Sequence, residues 1–148
     1  MAQSAQNPTY TIALAGNPNP GKTTLFNLLT GLKQKVANYP GVTVERKEGP
    51  WRLSTGEANL IDLPGLYSLD ATSLDEQIAR EIITGELPSV PRPDAIVAVV
   101  DATTLRRGLV LVSQLLQLDR PVCLVVTFTD ELMARQGSLD VEALGRAI

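Results

Sequence analysis

One eight-residue segment constrains what this chain can fold into more than any other feature. A short apolar run, residues 10–15, leads directly into Gly16-Asn-Pro-Asn-Pro-Gly-Lys-Thr23, which matches the pattern G-x-x-x-x-G-K-[S/T]. Since glycine makes up only about 7% of residues in proteins, a chance match at four fixed positions is rare. The segment also lies between a predicted strand and a predicted helix, which is the setting of a phosphate-binding P-loop. We therefore predict a nucleotide-binding α/β domain.

The residue types in this loop have distinct predicted roles. Its glycines let backbone N–H groups approach the phosphates closely, and Lys22 would neutralise charge on the β- and γ-phosphates. The Thr23 hydroxyl is predicted to ligate Mg²⁺. Pro20 has no backbone N–H, so it removes one donor from the phosphate cradle. Contacts with the nucleotide are predicted for Gly16, Asn17, Pro18, Asn19, Pro20, Gly21, Lys22, Thr23 and Thr24.

A second motif, Asp62-Leu-Pro-Gly65, follows the predicted strand 58–61. An Asp at a strand end near a P-loop can hold the Mg²⁺ shell, and we predict that role for Asp62. The Gly65 N–H is predicted to reach a γ-phosphate, and the glycine to act as a hinge. Thr43 lies before the second long strand and could complete the Mg²⁺ coordination, with Gly41 and Val42 beside it at the nucleotide.

The base specificity is predicted from Thr127-Phe-Thr-Asp130, which follows the apolar run 122–126. Guanine-specific P-loop proteins carry [NT]-[KQ]-x-D at this point. The Asp accepts hydrogen bonds from the ring N1–H and the exocyclic amine of guanine, a pattern that adenine does not supply. Asp130 therefore predicts GTP and GDP as ligands, while Thr127 in place of the usual Asn loses an amide.

The remaining pattern predicts the fold class. Near-continuous apolar strands separated by helices indicate an α/β domain with a mostly parallel sheet and helices on both faces. Residues 1–9 are predicted to be a flexible tail, residues 10–148 to form the domain, and Lys33–Val42 to be a loop. Strands are predicted at residues 10–15, 44–53, 58–61, 94–100 and 121–126, and helices at 21–30, 73–85, 105–118 and after Asp140.

Composition excludes several other chemistries. The 148 residues include no His and one Cys, so His-based catalysis, an internal disulfide and a Cys/His metal cluster are excluded. The net charge is −3 and the longest basic cluster is Arg106-Arg107, so nucleic-acid binding is not expected. No signal peptide is apparent, and no apolar run approaches the roughly 20 residues of a membrane helix. The isolated chain is expected to be soluble, with Cys123 as a small core residue.

Four segments together resemble the cytoplasmic G domain of the FeoB family of bacterial ferrous iron transporters. They are Gly16–Asn27, Val36–Glu45, Asp62–Leu69 and Val100–Leu105. The likeness runs from about Thr11 to the C-terminus, and the second segment, switch I, is its most specific part. The resemblance implies a Ras-like P-loop GTPase fold, with a second switch beginning at the Asp62 motif.

The family also implies an organisation that extends beyond these residues. Its G domain is joined to a helical domain and to a polytopic membrane region for Fe²⁺, at the cytoplasmic face of the bacterial inner membrane. Those domains would be partners of this chain, and the last strand and helix of the G domain are also missing from it. A homo-oligomer is possible.

A K⁺ site is a further implication of the resemblance. In related potassium-activated GTPases an Asn at the position of Asn19 helps to hold K⁺ near the β- and γ-phosphates, and switch I carbonyls, here around Asn38 and Tyr39, add ligands. Such a cation could replace an arginine finger. Leu66 stands where Ras-like proteins place a water-orienting Gln, so slow hydrolysis is expected. The predicted catalytic groups are Lys22, Asn19, Thr43 and Gly65.

Three alternatives to a GTPase of this transporter family remain open. One is a K⁺-type GTPase of tRNA modification or ribosome assembly, against which the acidic balance and the switch I sequence argue. Another is a nucleotide-binding interaction module that does not hydrolyse GTP, suggested by Pro20 and Thr127. An ATPase is the weakest of the three, because Asp130 favours guanine.

Overall fold

The computed structural model describes residues 9–18 and 21–148. Its central element is a six-stranded sheet. Its spatial order is β2-β3-β4-β1-β5-β6. β1 pairs in parallel with β4 and β5, and β5 pairs in parallel with β6, whereas β3 is antiparallel to both β2 and β4. The predicted mostly parallel sheet is confirmed. The strands are β1 (Thr9–Gly16), β2 (Lys35–Asn38), β3 (Glu45–Leu53), β4 (Gly56–Asp62), β5 (Ala95–Asp101) and β6 (Val122–Thr127).

Helices connect the strands and end at the signals that the sequence provides. The Ser73 hydroxyl accepts a hydrogen bond from the Glu76 N–H, which caps the second helix, and Asp140 caps the last one in the same way. Gly31 and Gly85 adopt left-handed backbone at two helix ends. The helices are α1 (Lys22–Thr30), α2 (Leu74–Thr84), a short 3₁₀ turn (Ala102–Thr104), α3 (Leu105–Leu115), α4 (Thr129–Ala134) and α5 (Val141–Ala147).

The two faces of the sheet bury different helices. Successive β1 side chains point to opposite faces, so Ala13 and Ala15 join the cluster formed with α2 and α3. Ile12 and Leu14 instead pack with Phe26 of α1. Phe26 is fully buried, a burial that stabilises the fold by about 1.5–3 kcal/mol. Helices on both faces, as predicted, leave the strand ends open for a ligand.

Three local predictions were wrong. The predicted loop Lys33–Val42 contains β2, whose four residues are all exposed and show no apolar alternation because the strand lies at the sheet edge. Helix α4 was not predicted after the Thr127–Asp130 motif. Cys123 is exposed, since in the described part of the chain β6 forms the other edge of the sheet. The predicted tail, 1–9, lies outside the described residues except for Thr9.

The four mutually parallel strands, β1, β4, β5 and β6, have their carboxyl ends on the same side of the sheet. In α/β proteins, ligands bind beside these ends. The strand pairing places Leu14 opposite Asp62, Gly16 opposite Val99, and Asp101 opposite Thr127. The P-loop, the Asp62 motif and the Thr127 motif therefore all begin at the carboxyl ends of these strands. Among the residues that the structure describes, no helix combines the length and the apolar character that a membrane crossing requires.

Candidate functional site

The P-loop lysine and the aspartate of the second motif are in contact. Lys22 is the first residue of α1, and its Nζ donates hydrogen bonds to Asp62 Oδ1 and, at 2.6 Å, to the Leu63 carbonyl. Both charged residues are buried, with 8% of Lys22 and 6% of Asp62 exposed. Lys22, which is predicted to bind phosphate, and Asp62, which is predicted to bind the metal, thus form an ion pair with each other.

The Asp62–Gly65 motif lies directly on the phosphate loop. The Leu66 N–H donates to the Gly16 carbonyl at 3.0 Å. A β-carbon on Gly65 would lie 2.9 Å from the Cα of Pro18, so only glycine allows this approach. Leu66 itself is completely buried, and its side chain carries no polar group.

Asn17 is the second residue of the loop and carries an unusual buried acceptor. Only 9% of the residue is exposed, and its Oδ1 accepts no hydrogen bond in the described part of the chain. A buried polar atom without a partner costs about 1–3 kcal/mol, so each such atom in a folded protein needs an explanation. Asn19 and Pro20 lie outside the described residues, so the roles predicted for them stay predictions.

Two of the three predicted magnesium ligands line one cleft. Thr43 and Asp62 both line a cavity of about 290 Å³, together with Lys47 and Asp75. Thr23 and Thr24 follow Lys22 in the first turn of α1, and both are exposed. Hydroxyl and carboxylate oxygens are ligands that Mg²⁺ accepts, so the residues present fit that ion.

Switch I forms a tight turn between β2 and β3. The Tyr39 N–H donates a hydrogen bond to the Val44 carbonyl at 2.9 Å, and the Tyr39 carbonyl accepts one from the Val42 N–H at 3.2 Å. Gly41 supplies the left-handed residue of the turn, with φ +78°. Asn38 is exposed at the end of β2, whereas the Tyr39 ring is buried in the core. Burial raises the pKa of Tyr39 to about 12, and its hydroxyl has no partner among the described residues.

The Thr127–Asp130 loop, which is predicted to recognise the base, lies next to the last glycine of the phosphate loop. Gly21 has φ +84°, and a β-carbon there would lie 3.5 Å from Thr127 Cγ2 and 3.6 Å from Phe128 Cε2. The Thr127 hydroxyl donates to the Val100 carbonyl at 3.1 Å, which holds the loop on β5. Asp130 is exposed in the first turn of α4. The two loops that are predicted to bind the nucleotide therefore lie side by side.

Two residues that hold the segment 66–74, part of the predicted second switch (switch II), were missed by the sequence prediction. The Glu76 carboxylate accepts hydrogen bonds from the Thr72 N–H and hydroxyl and, at 3.4 Å, from the Tyr67 N–H. The Thr72 hydroxyl bond is the largest cause that holds the pKa of Glu76 below its usual value. The predicted helix at 73–85 places Glu76 in its first turn, but the bond from Glu76 back to Tyr67 was not predicted.

The other missed residue is Gln114 on α3. Its Oε1 accepts from the Leu69 N–H at 2.6 Å, and its Nε2 donates to Ser68 Oγ at 3.1 Å. The Arg107 guanidinium lies 5.3 Å from the centroid of the Tyr67 ring and adds a cation–π contact to the same docking. No local signal could have linked residues about 45 positions apart in the sequence.

A P-loop beside a D-x-x-G motif and a T-x-x-D loop, at one edge of a mostly parallel six-stranded sheet, defines the G domain of a P-loop GTPase. A family model described as Ferrous iron transport protein B matches residues 10–148. The chain therefore belongs to the FeoB family.

Curated relatives of similar sequence support the assignment to this family. The Fe(2+) transporter FeoB of Salmonella typhimurium is 48% identical over 139 residues, which are 90% of this chain and 17% of that protein. FeoB of Methanocaldococcus jannaschii is 50% identical over 110 residues, 74% of this chain and 16% of that protein. The chain thus spans about a sixth of the length of these curated relatives.

Solved structures match the fold. The G domain of the T. maritima FeoB iron transporter aligns with a TM-score of 0.83 at 42% identity, covering 95% of this chain and 83% of that one. The cytosolic domain of L. pneumophila FeoB aligns with a TM-score of 0.82 at 45% identity, covering 90% of this chain and 55% of that one. These matches confirm the predicted family and fold class.

Proposed function

We propose that this chain binds GTP and GDP and hydrolyses GTP slowly, as the G domain of a bacterial ferrous iron transporter. The observation that carries the proposal is the convergence of Lys22, Asp62, Gly65 and the Thr127–Asp130 loop at one sheet edge. A mutant S. thermophilus FeoB G domain that is 42% identical to this chain has been solved with GDP bound, which supports the choice of nucleotide.

The reaction is in-line attack of water on the γ-phosphate. Lys22 and the loop N–H groups stabilise the charge that develops on the phosphate oxygens, and the Gly65 N–H adds a donor at the γ-phosphate. Because Lys22 is bonded to Asp62 and Leu63, it exchanges these partners for phosphate oxygens when nucleotide binds.

Mg²⁺ fits this site through Thr23, Thr43 and Asp62, two of which share a cleft. When bound, it neutralises charge on the β- and γ-phosphates. Release of Asp62 from Lys22 frees its carboxylate for that role. The exchange of partners that brings Lys22 to the phosphates therefore also makes the Asp62 carboxylate available to Mg²⁺.

K⁺ is the proposed activator, held by the Asn19 side chain and by carbonyls of Asn38 and Tyr39. The Tyr39 carbonyl accepts one hydrogen bond, from Val42, and keeps a second lone pair for a cation. A positive charge is needed here because the buried Leu66 offers no polar group to the attacking water.

Switch I, residues 36–45, and the segment 66–74 are proposed to change with the nucleotide. They would report its state to the helical and membrane domains of the whole transporter, at the cytoplasmic face of the inner membrane. Glu76 and Gln114 hold the second segment, so both belong to the path by which that state is transmitted. Fe²⁺ is the cargo of the whole protein in this proposal.

The test is phosphate release from GTP with Mg²⁺ in matched KCl and NaCl buffers. We expect faster release in KCl, loss of the difference in Asn19→Ala, and loss of nucleotide binding in Lys22→Ala. Equal rates in both salts would remove the K⁺ proposal and leave a GTPase. GDP binding without turnover in either salt would instead favour the interaction module that does not hydrolyse GTP.

A further inference from the structure

Lys47 is a cation for which the proposed reaction has no use. It is half-buried on β3 and lines the cleft of about 290 Å³ that Thr43 and Asp62 also line. Two further carboxylates, those of Glu45 and Asp75, line the same cleft. Nevertheless, Lys47 makes no ion pair with any residue that the structure describes. Because taking a charge out of water without a partner costs free energy, the position of Lys47 needs an explanation.

The strand pairing places Lys47 beside Asp62. The two residues are direct partners in the antiparallel register of β3 and β4, so their side chains lie on the same face of the sheet. Such partners have Cβ atoms about 4.5–5.5 Å apart, a separation that a lysine side chain can span. Lys22 approaches the same carboxylate from α1 and bonds to Oδ1, whereas Oδ2 accepts no hydrogen bond from the described residues. A second lysine can therefore reach this carboxylate.

The exchange of partners proposed for Lys22 creates a need for a second lysine. When Lys22 turns to the phosphates, Asp62 loses its counter-charge, although only 6% of the residue is exposed. A buried carboxylate that has lost its partner is strongly destabilising. Where no metal is bound, another cation of the chain has to compensate it. Among the described residues that line the cleft, only Lys47 carries a positive charge.

We propose that Lys47 is a positioning residue of the nucleotide site, which binds the Asp62 carboxylate when Lys22 moves to the phosphates. This inference rests on the proposed binding of guanine nucleotides. Lys47 acts through Asp62 and does not touch the nucleotide. Because Lys47 and Mg²⁺ compete for one carboxylate, Lys47 supports the binding of nucleotide without metal and lowers the affinity of the nucleotide complex for Mg²⁺.

The test measures GDP affinity by calorimetry on the whole chain, once with saturating Mg²⁺ and once in EDTA. Lys47→Met keeps an unbranched apolar side chain and removes the charge. It is expected to weaken GDP about tenfold or more in EDTA, but less than about threefold in Mg²⁺. By linkage, the affinity of the GDP complex for Mg²⁺ should rise by the ratio of these two factors. Lys47→Arg, which keeps the charge, should stay within about threefold of the wild type in both buffers.

Lys35→Met is the matched control for net charge. Lys35 is exposed on β2 and pairs with Glu48, the neighbour of Lys47 along β3, so its side chain lies on the other face of the sheet. Since salt screens exposed charges, this variant should keep both affinities within about twofold of the wild type.

Two further variants identify the partner of Lys47. In the Asp62→Asn background, Lys47→Met should have no further effect on GDP affinity in EDTA, because the carboxylate that it neutralises is gone. In the Asp75→Asn background, which removes another carboxylate of the cleft, the effect of Lys47→Met should persist. Without nucleotide, Lys47→Met should unfold in urea like the wild type, because Lys47 has no ion pair to lose.

Several results would overturn the inference. Unchanged GDP affinity of Lys47→Met in EDTA would do so, as would equal losses in EDTA and in Mg²⁺. An equal loss in Lys35→Met would reduce the effect to net charge. A loss that persisted in the Asp62→Asn background would show that Lys47 acts on another group.

The failure of the proposed function has a different signature. A wild-type chain that binds no GDP in either buffer would overturn nucleotide binding and the role of Lys47 together. A wild-type chain that binds GDP with Mg²⁺ but not in EDTA would overturn the role of Lys47 alone, because that role is to support binding without metal.

Discussion

The backbone of Pro18 lies so close to Gly65 that no side chain fits between the phosphate loop and switch II. A β-carbon on Gly65 would lie 2.9 Å from both the Cα and the backbone nitrogen of Pro18. The Leu66 N–H maintains the approach through its bond to the Gly16 carbonyl. Gly65 is therefore the point at which the proposed movement of residues 66–74 would reach the phosphate loop.

Gly65→Ala should force these two segments apart. We expect a loss of about 1–3 kcal/mol in the free energy of unfolding, the usual cost of overpacking. The affinity for a non-hydrolysable GTP analogue should fall more than that for GDP, because the Gly65 N–H is proposed to contact the γ-phosphate. Urea unfolding and competitive nucleotide titration measure the two effects.

Gly145→Ala in α5 is the matched control. A β-carbon there meets no atom within 4 Å, and glycine inside a helix costs roughly 0.5–1 kcal/mol relative to alanine. The control variant should be as stable as the wild type or more so. Equal losses in the two variants would contradict the steric argument.

The ion pair of Lys22 and Asp62 should show strong energetic coupling. Asp62→Ala leaves a buried ammonium without its counter-charge and is expected to cost about 3–5 kcal/mol. Lys22→Met with Asp62→Ala should cost less than the sum of the two single changes, because no unpaired charge remains. A double-mutant cycle in urea, without nucleotide, measures this coupling.

The exposed pair of Arg135 and Glu131 on α4 is the comparison. Its side chains are 63% and 47% exposed, and its coupling should stay below about 0.5 kcal/mol. Additive losses at Lys22 and Asp62 would show that their contact contributes no more than this surface pair.

The sequence was informative where local chemistry determines structure. The apolar runs located the buried strands, the predicted helices 21–30 and 73–85 agree with α1 and α2 to within one residue at each end, and each of the three motifs follows a strand, as predicted. β2 was missed because its only support is pairing with β3, which lies outside any local window. The contact of Gln114 with Leu69 depends on how α3 packs, a tertiary relationship that no short pattern contains.

Glu76 should make the order of switch II depend on pH. Hydrogen bonds from Thr72 lower its pKa in the folded state below the usual 4.5. The ionised carboxylate therefore stabilises the fold above the pKa of the unfolded chain, and that stabilisation is lost as the pH falls through the lower folded value. The stability difference between wild type and Glu76→Gln should be full at pH 7 and shrink on acidification below 4.5.

Glu142→Gln serves as the control for that experiment, measured as urea midpoints across the acidic range. Glu142 is also in the first turn of a helix, and its carboxylate accepts no hydrogen bond from the described residues. Its substitution should leave the pH profile of the wild type unchanged. A difference for Glu76→Gln that persisted unaltered at pH 3 would argue against the charged hydrogen bonds.

Gln114 should hold the end of switch II against α3. Gln114→Ala removes the acceptor of the Leu69 N–H, and an unpaired donor costs about 1–3 kcal/mol. The Leu69 amide should then exchange its hydrogen about tenfold faster or more, while the core of β1 keeps its protection. Gln117→Ala, an exposed amide one turn further on, should leave the Leu69 exchange rate unchanged, and a similar acceleration there would remove the specific role of Gln114.

Tyr39 offers the clearest effect at high pH. Its ring is 2% exposed and its hydroxyl has no partner in the described part of the chain, so Tyr39→Phe should stabilise the fold by about 1 kcal/mol at neutral pH. Burial raises its pKa from 10.0 to about 12. Between these values the unfolded tyrosine ionises while the folded one stays protonated, so the wild type loses stability as the pH rises.

The expected size of this loss of stability, and the control for it, follow from the same difference between the folded and unfolded pKa of Tyr39. Two pH units correspond to roughly 2–3 kcal/mol, a loss that Tyr39→Phe should not show. Tyr67→Phe, at a ring that is 45% exposed, should follow the wild-type curve. Urea unfolding from pH 9 to 12 measures all three proteins, and parallel curves for the wild type and Tyr39→Phe would show that the buried hydroxyl does not control alkaline stability.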